Sequence, residues 1–153
     1  MSEIKEFNIV VANSQDLSKV KNFEIFEKEI NNNFRNEGIN ILLSTTSNIS
    51  NQKEIIKKQP DVVLLINYYS HENVEQIKED VGYVRKLRKR LPESAKIALF
   101  SNRNYSKENF FEAGIDLWIS FRQIKKLPEI ISKLYKEEQI YYEDVLSKDS
   151  LDK

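Results

Sequence analysis

The stretch PDVVLLI at residues 60–66 decides the fold class. Its apolar run, Val62–Ile66, is five residues long, β-branched at Val62 and Val63, and preceded by a proline that stops whatever comes before it. A strand exposed on one face alternates apolar and polar residues. A nearly continuous apolar run of this length belongs to a strand covered on both faces, as in a parallel sheet with crossover helices. Working outward, the same kind of run recurs at residues 7–12 (FNIVVA), 39–44 (INILLS), 95–100 (AKIALF) and 115–120 (IDLWIS).

Between these runs lie helical patterns. Leu17, Val20, Phe23, Phe26, Ile30 and Phe34 recur at three- and four-residue steps over residues 16–36, and Gly38 suits the C-terminal cap. Asn51 and Glu54 have the spacing of a capping box opening a short helix through Lys58. Val81, Val84, Leu87 and Leu91 form a stripe ended by Pro92; residues 107–113 make a short helix closed by Gly114; a last helix opens near Ile124 or Pro128. Strands interleaved with helices predict one α/β domain: a five-stranded parallel sheet, doubly wound as (βα)5, in three α/β/α layers. It is expected to span residues 1–137. Residues 138–153 read as a helical extension, resuming its apolar phase at Tyr141 and Val145, or as an acidic frayed tail.

Composition narrows the function. The 153 residues carry 24 Lys+Arg and 24 Asp+Glu, so no global field draws the chain to nucleic acid or membrane. There is no cysteine and a single histidine, which removes disulfides and thiolate chemistry and leaves zinc unexpected. No apolar run approaches a membrane span, and no leader pattern opens the chain, so a cytoplasmic location without bound cofactor or metal is the expectation. With three glycines there is no GxxxxGK[ST] loop, GxGxxG turn or nucleophile elbow. The hydroxyl-rich STTSNIS at residues 44–50 follows the second strand, whereas the phosphate loop of a flavodoxin follows the first. The basic run Arg85, Lys86, Arg88, Lys89, Arg90 surrounds the apolar stripe of its helix and reads as a solvated face.

Taken in order, PDVVLL (residues 60–65), VRKLRKRLPESAKIALFS (84–101) and EAGIDLWIS (112–120) resemble the bacterial response-regulator receiver, a flavodoxin-like fold. The resemblance covers roughly residues 5–137. It implies a site at the carboxyl ends of the strands. An active receiver has there an acidic pair that holds Mg²⁺, an aspartate that accepts the phosphoryl group, a hydroxyl and a lysine. The requirements are a carboxylate nucleophile, a hard cation on oxygen ligands and positive charge against the transferring oxygens. Here the first strand ends in Asn13 and Ser14; six residues from Pro60 the acceptor position falls on Ile66, or on Asn67 with a slip of one; Ser101 matches the hydroxyl; Ser120, followed by Phe121, replaces the lysine. The resemblance therefore implies a pseudo-receiver that catalyses nothing and acts by phosphorylation-independent contact with a protein, as a regulatory or dimerisation module, in the manner of receivers fused to larger signalling or ATPase proteins. The alternative is a small-molecule binder or enzyme using the same polar residues.

Two segments are candidates for contact. The connection at residues 67–81 is longer than the receiver's and contains Tyr68, Tyr69 and His71; it is either a lid or docking loop, or a helix extension with Val74, Ile77 and Val81 inward. Tyr105, Phe110, Phe111, Trp118 and Phe121, rimmed by Arg122, fall on the fourth helix, fifth strand and fifth helix, the usual receiver interface. Adjacent helical positions diverge by about 100°, so at least one of Phe110 and Phe111 is expected near the surface.

Overall fold

The computed structural model describes residues 5–13, 23–35, 37–46, 49–67, 74–102 and 107–148. The strands are β1 (Lys5–Asn13), β2 (Ile39–Thr46), β3 (Val62–Asn67), β4 (Lys96–Ser101), β5 (Leu117–Ser120) and β6 (Val145–Ser147). The helices are α1 (Phe23–Arg35), α2 (Gln52–Lys57), α3 (Val74–Arg90), α4 (Lys107–Ala113) and α5 (Leu127–Tyr135), with a 3₁₀ turn at Phe121–Lys126 before α5. One sheet runs in the order β2-β1-β3-β4-β5-β6. Its first five strands are parallel, and β6 lies antiparallel on β5.

β3 sits third in the sheet and all six of its residues are buried, as its continuous apolar run requires. Its side chains alternate between two cores. Val63 and Leu65 pack with Ile55 of α2, with Ile77, Val81, Val84 and Leu87 of α3, and with Phe110 and Phe111 of α4. Val62, Leu64 and Ile66 pack on the opposite face with Phe26, Ile30 and Phe34 of α1 and Leu127, Ile130, Ile131 and Leu134 of α5. The expected three α/β/α layers are present. Each fully buried Leu, Ile, Val or Phe contributes about 1.5–3 kcal/mol relative to exposure.

The helical stripe of the second segment holds at Phe26, Ile30 and Phe34, all buried, whereas Leu17 and Val20 lie outside the described residues. Gly38 has φ +70°, the left-handed conformation expected of a glycine beyond a helix end. The capping box at α2 does not form: Asn51 makes no side-chain cap bond, while its carbonyl accepts from the Ile55 N–H at 3.2 Å. Residues 74–81 take the helical alternative, extending α3 at its N-terminus with Ile77 and Val81 buried, while Val74 is exposed.

The five expected parallel strands are present, and β6 adds to them on the β5 edge. Two expectations are corrected. Residues 138–148 form neither a helical extension nor a frayed tail. Glu137 and Asp144 take positive φ, which a continuing helix forbids; the chain reverses, and Val145 is buried where Tyr141 and Val145 had read as a resumed helical phase. Ser120 N–H donates to the Asp144 carbonyl at 3.0 Å, anchoring the return. The second correction concerns α4. Phe110 and Phe111 are both buried, at 2% and 5% exposure, because α4 sits in the angle between α3 and the sheet. A helix in a corner meets a wall on each side, so directions about 100° apart both find cover.

Candidate functional site

The strand register gathers the expected site at the carboxyl edge. Asn13 stands opposite Ile66, Asn67 opposite Ser101, and Ser101 opposite Ser120. Ile66 points into the α1–α5 core and is a packing residue. Alternation along β3 turns Asn67 to the other face, toward α3, so of the two acceptor alignments only Asn67 faces a polar neighbour. Its Nδ2 donates to Asp80 Oδ2 at 3.2 Å, with Asn67 3% and Asp80 1% exposed. Gln76 Nε2 donates to the other carboxylate oxygen, Asp80 Oδ1, at 3.1 Å. Both oxygens of the buried acid therefore accept amide hydrogen bonds, as a carboxylate withdrawn from water must.

Asp80 was not singled out from the sequence, where it read as the end of a polar connection. The signal is present in a helix that begins at Val74. Asp80 lies three residues after Ile77 and four before Val84, within the buried stripe of α3, and a carboxylate on such a stripe requires a buried polar partner.

Ser101 is buried at the end of β4. Ser120 is half-buried and its Oγ accepts from the Arg122 backbone N–H at 3.2 Å, so it caps the 3₁₀ turn that leads into α5. A short hydroxyl at this place serves the turn and extends no positive charge over the edge. The side chain of Asn13, together with Ser14, Tyr68, Tyr69, His71 and Tyr105, lies outside the described residues. Among the described residues no cluster of three or more His, Cys, Asp or Glu is placed to hold a metal ion.

The expected aromatic face is rearranged. Trp118 is 3% exposed and belongs to the same core as Phe110 and Phe111, with Leu146 of β6 packed against that core. Lys107 Nζ lies 4.3 Å from the Trp118 ring centroid, a cation–π contact over the indole. Phe121 is half-buried against Phe100, ring centroids 4.4 Å apart. Arg122 is the exposed one among the described members of the group, its side chain 85% accessible and 3.8 Å from Asp144. Tyr141, on the return toward β6, is 81% exposed and was not among the expected contact residues. The edge of β5 is occupied by β6, so this side presents the return segment and not a bare strand.

Among the described residues three tyrosines have displaced ionisation. Burial and a hydrogen bond to Glu129 push Tyr142 up to about 12. Burial raises Tyr135, and a hydrogen bond to Glu79 raises Tyr83. None of these lies at the carboxyl edge.

No protein-family model and no curated protein matches the sequence. Solved structures match the fold. A LuxR family DNA-binding response regulator from Silicibacter pomeroyi superposes with TM-score 0.62 at 14% identity, over 86% of this chain and 93% of that one. The isolated REC domain of RcsB from Salmonella enterica serovar Typhimurium gives TM-score 0.62 at 13% identity, over 90% and 94%. The signal receiver domain of the response regulator NarL from Mycobacterium tuberculosis gives 0.54 at 14%, over 86% and 98%.

The chain has a receiver-like fold. At these identities the likeness is one of fold, and the receiver-like chain's own residues must speak for its chemistry. The same fold also occurs inside a larger protein: the chain matches 22% of the cobalamin-dependent S-adenosylmethionine radical enzyme OxsB, with TM-score 0.59 at 14% identity. No helix among the described residues is long and apolar enough to cross a membrane.

Proposed function

We propose that this receiver-like chain is a regulatory domain that works without phosphotransfer, by contact with another protein. The observation that carries the reading is the Asn67–Asp80 pair. The residue facing the pocket at the end of β3 is an amide, which has no anionic oxygen to attack a phosphoryl donor, and its Nδ2 is committed to a buried carboxylate. Asp80 is no substitute acceptor: at 1% exposure, with both oxygens accepting hydrogen bonds, it is closed to a donor and to a hydrated cation. Ser120 supplies no charge against transferring oxygens, since its hydroxyl caps a turn.

Incubation of the chain with Mg²⁺ and acetyl phosphate, followed by intact mass, is expected to show no added phosphoryl group; beryllofluoride is expected to leave the amide NMR spectrum in place. Stoichiometric modification of a carboxylate would overturn the reading. For the contact surface, the side formed by α4, β5 and α5 is retained, with different anchors. Phe110, Phe111 and Trp118 are core residues, so the docking side chains in this reading are the exposed Arg122 and Tyr141, a pair of residue types that dominate interface energetics. Self-association through this side predicts that light scattering gives a dimer for the wild type and a monomer for Arg122→Glu with Tyr141→Ala. A monomer in both redirects the contact to a different protein.

A further inference from the structure

We infer that the groove between α2 and α3 is a binding site for a phosphate-bearing small molecule. The basic run of α3 divides in three dimensions. Arg88 is withdrawn from it: Nη1 lies 3.5 Å from Asp116 and donates to the Ala95 carbonyl at 2.8 Å, so this cation ties α3 to the chain before β4 and β5. Arg85 and Lys89 are exposed. Lys86 and Arg90, four residues apart and therefore on one face, line a groove of about 430 Å³ together with Lys53 of α2, Ser50, Asn51 and Tyr83. That volume falls within the range of small-ligand sites. None of Lys53, Lys86 and Arg90 has an ion-pair partner within 4 Å among the described residues. Glu54 also lines the groove, and its carboxylate is 3.7 Å from Lys58, the neighbour one turn on.

One feature distinguishes this arrangement from a solvated helix face: Arg90 is held. Its Nη1 is 3.4 Å from Gln52 Oε1, and Gln52, 7% exposed, donates Nε2 to the Tyr83 carbonyl at 2.9 Å. A buried amide that fixes a guanidinium at the rim of a groove reduces the entropy lost when the guanidinium engages a ligand. A guanidinium, two ammonium groups and the Asn51 side-chain amide are a donor set suited to a phosphate ester, which takes planar and point-charge donors together. With the whole chain neutral, the attraction is local to the groove.

The test is an amide NMR titration of the full chain with inorganic pyrophosphate, using two isoelectric double variants. Saturable shifts confined to residues 50–54 and 83–90 are expected. Lys86→Gln with Arg90→Gln should weaken binding by at least about tenfold, as expected for lost charge-assisted bonds. Arg85→Gln with Lys89→Gln removes the same charge from the same helix outside the groove, and should leave affinity within about twofold. Absence of saturation, or equal weakening by both pairs, would overturn the site in favour of diffuse attraction. Should a double variant fail to fold, Arg90→Gln and Lys89→Gln singly make the same comparison.

Discussion

The amide of Asn67 and the carboxylate of Asp80 are the polar pair on which the carboxyl edge turns, and their behaviour is predictable from charge alone. Asn67→Asp places a second carboxylate about 3 Å from a buried one. Two anions cannot both ionise there, so one is held protonated with its folded pKa raised above the unfolded value of about 3.9. Such a group stabilises the fold below its unfolded pKa, and the stabilisation is lost as pH rises through the folded one. Urea denaturation should therefore find Asn67→Asp less stable than wild type at pH 7, by about 1–3 kcal/mol, and closer to it at pH 5. Tyr142 obeys the same sign: raised to about 12 from an ordinary 10.0, it weakens the fold as pH climbs from about 10 toward about 12. Tyr142→Phe should flatten that alkaline limb of stability against pH. Ser101, Ser120 and Asn67 are legible as strand-end positions because each ends a strand run; the burial of Asp80 follows only once the start of α3 is placed.

At the scale of elements, α4 and its surroundings show how a short helix escapes pattern reading. Seven residues give barely two turns, too few for a stripe, and the burial of Phe110 and Phe111 is set by the corner the helix occupies. These aromatics and Trp118 act on folding: Phe110→Ala or Trp118→Ala should each cost about 3–5 kcal/mol by denaturant unfolding. The turn after α4 is equally constrained. Gly114 has φ +125°, and a Cβ there would stand 2.4 Å from Arg88 Cγ. Gly114→Ala should destabilise by about 1–3 kcal/mol and shift the thermal midpoint down, because it strains the backbone and pushes Arg88 from Asp116 and the Ala95 carbonyl. The glycine was recognisable as a turn residue in the sequence; its contact with an arginine 26 positions earlier was not.

At the scale of the molecule, two cores share one sheet. Val63 and Leu65 face one, Val62 and Leu64 the other, so neither core survives the loss of β3. Leu87→Ala on one face and Ile130→Ala on the other should each lower one common transition by about 2–5 kcal/mol, with far-ultraviolet circular dichroism and Trp118 fluorescence moving together. Two separate transitions would mean the faces unfold independently. The receiver-like architecture follows from patterns that are local in the chain: continuous apolar runs imply strands covered on both faces, and helical stripes between them imply crossovers. The amide and hydroxyls at the strand ends could be read off by counting along those runs. What required tertiary structure was everything set by encounter between distant segments. The return of residues 138–148 onto β5 hinges on Glu137 and Asp144 adopting positive φ, a conformation no apolar periodicity encodes. The withdrawal of Arg88 from its basic run, the gathering of Lys53, Lys86 and Arg90, and the burial of Asp80 against Asn67 depend on which helix lies against which strand, and burial is a property of neighbours in space that spacing in sequence does not specify.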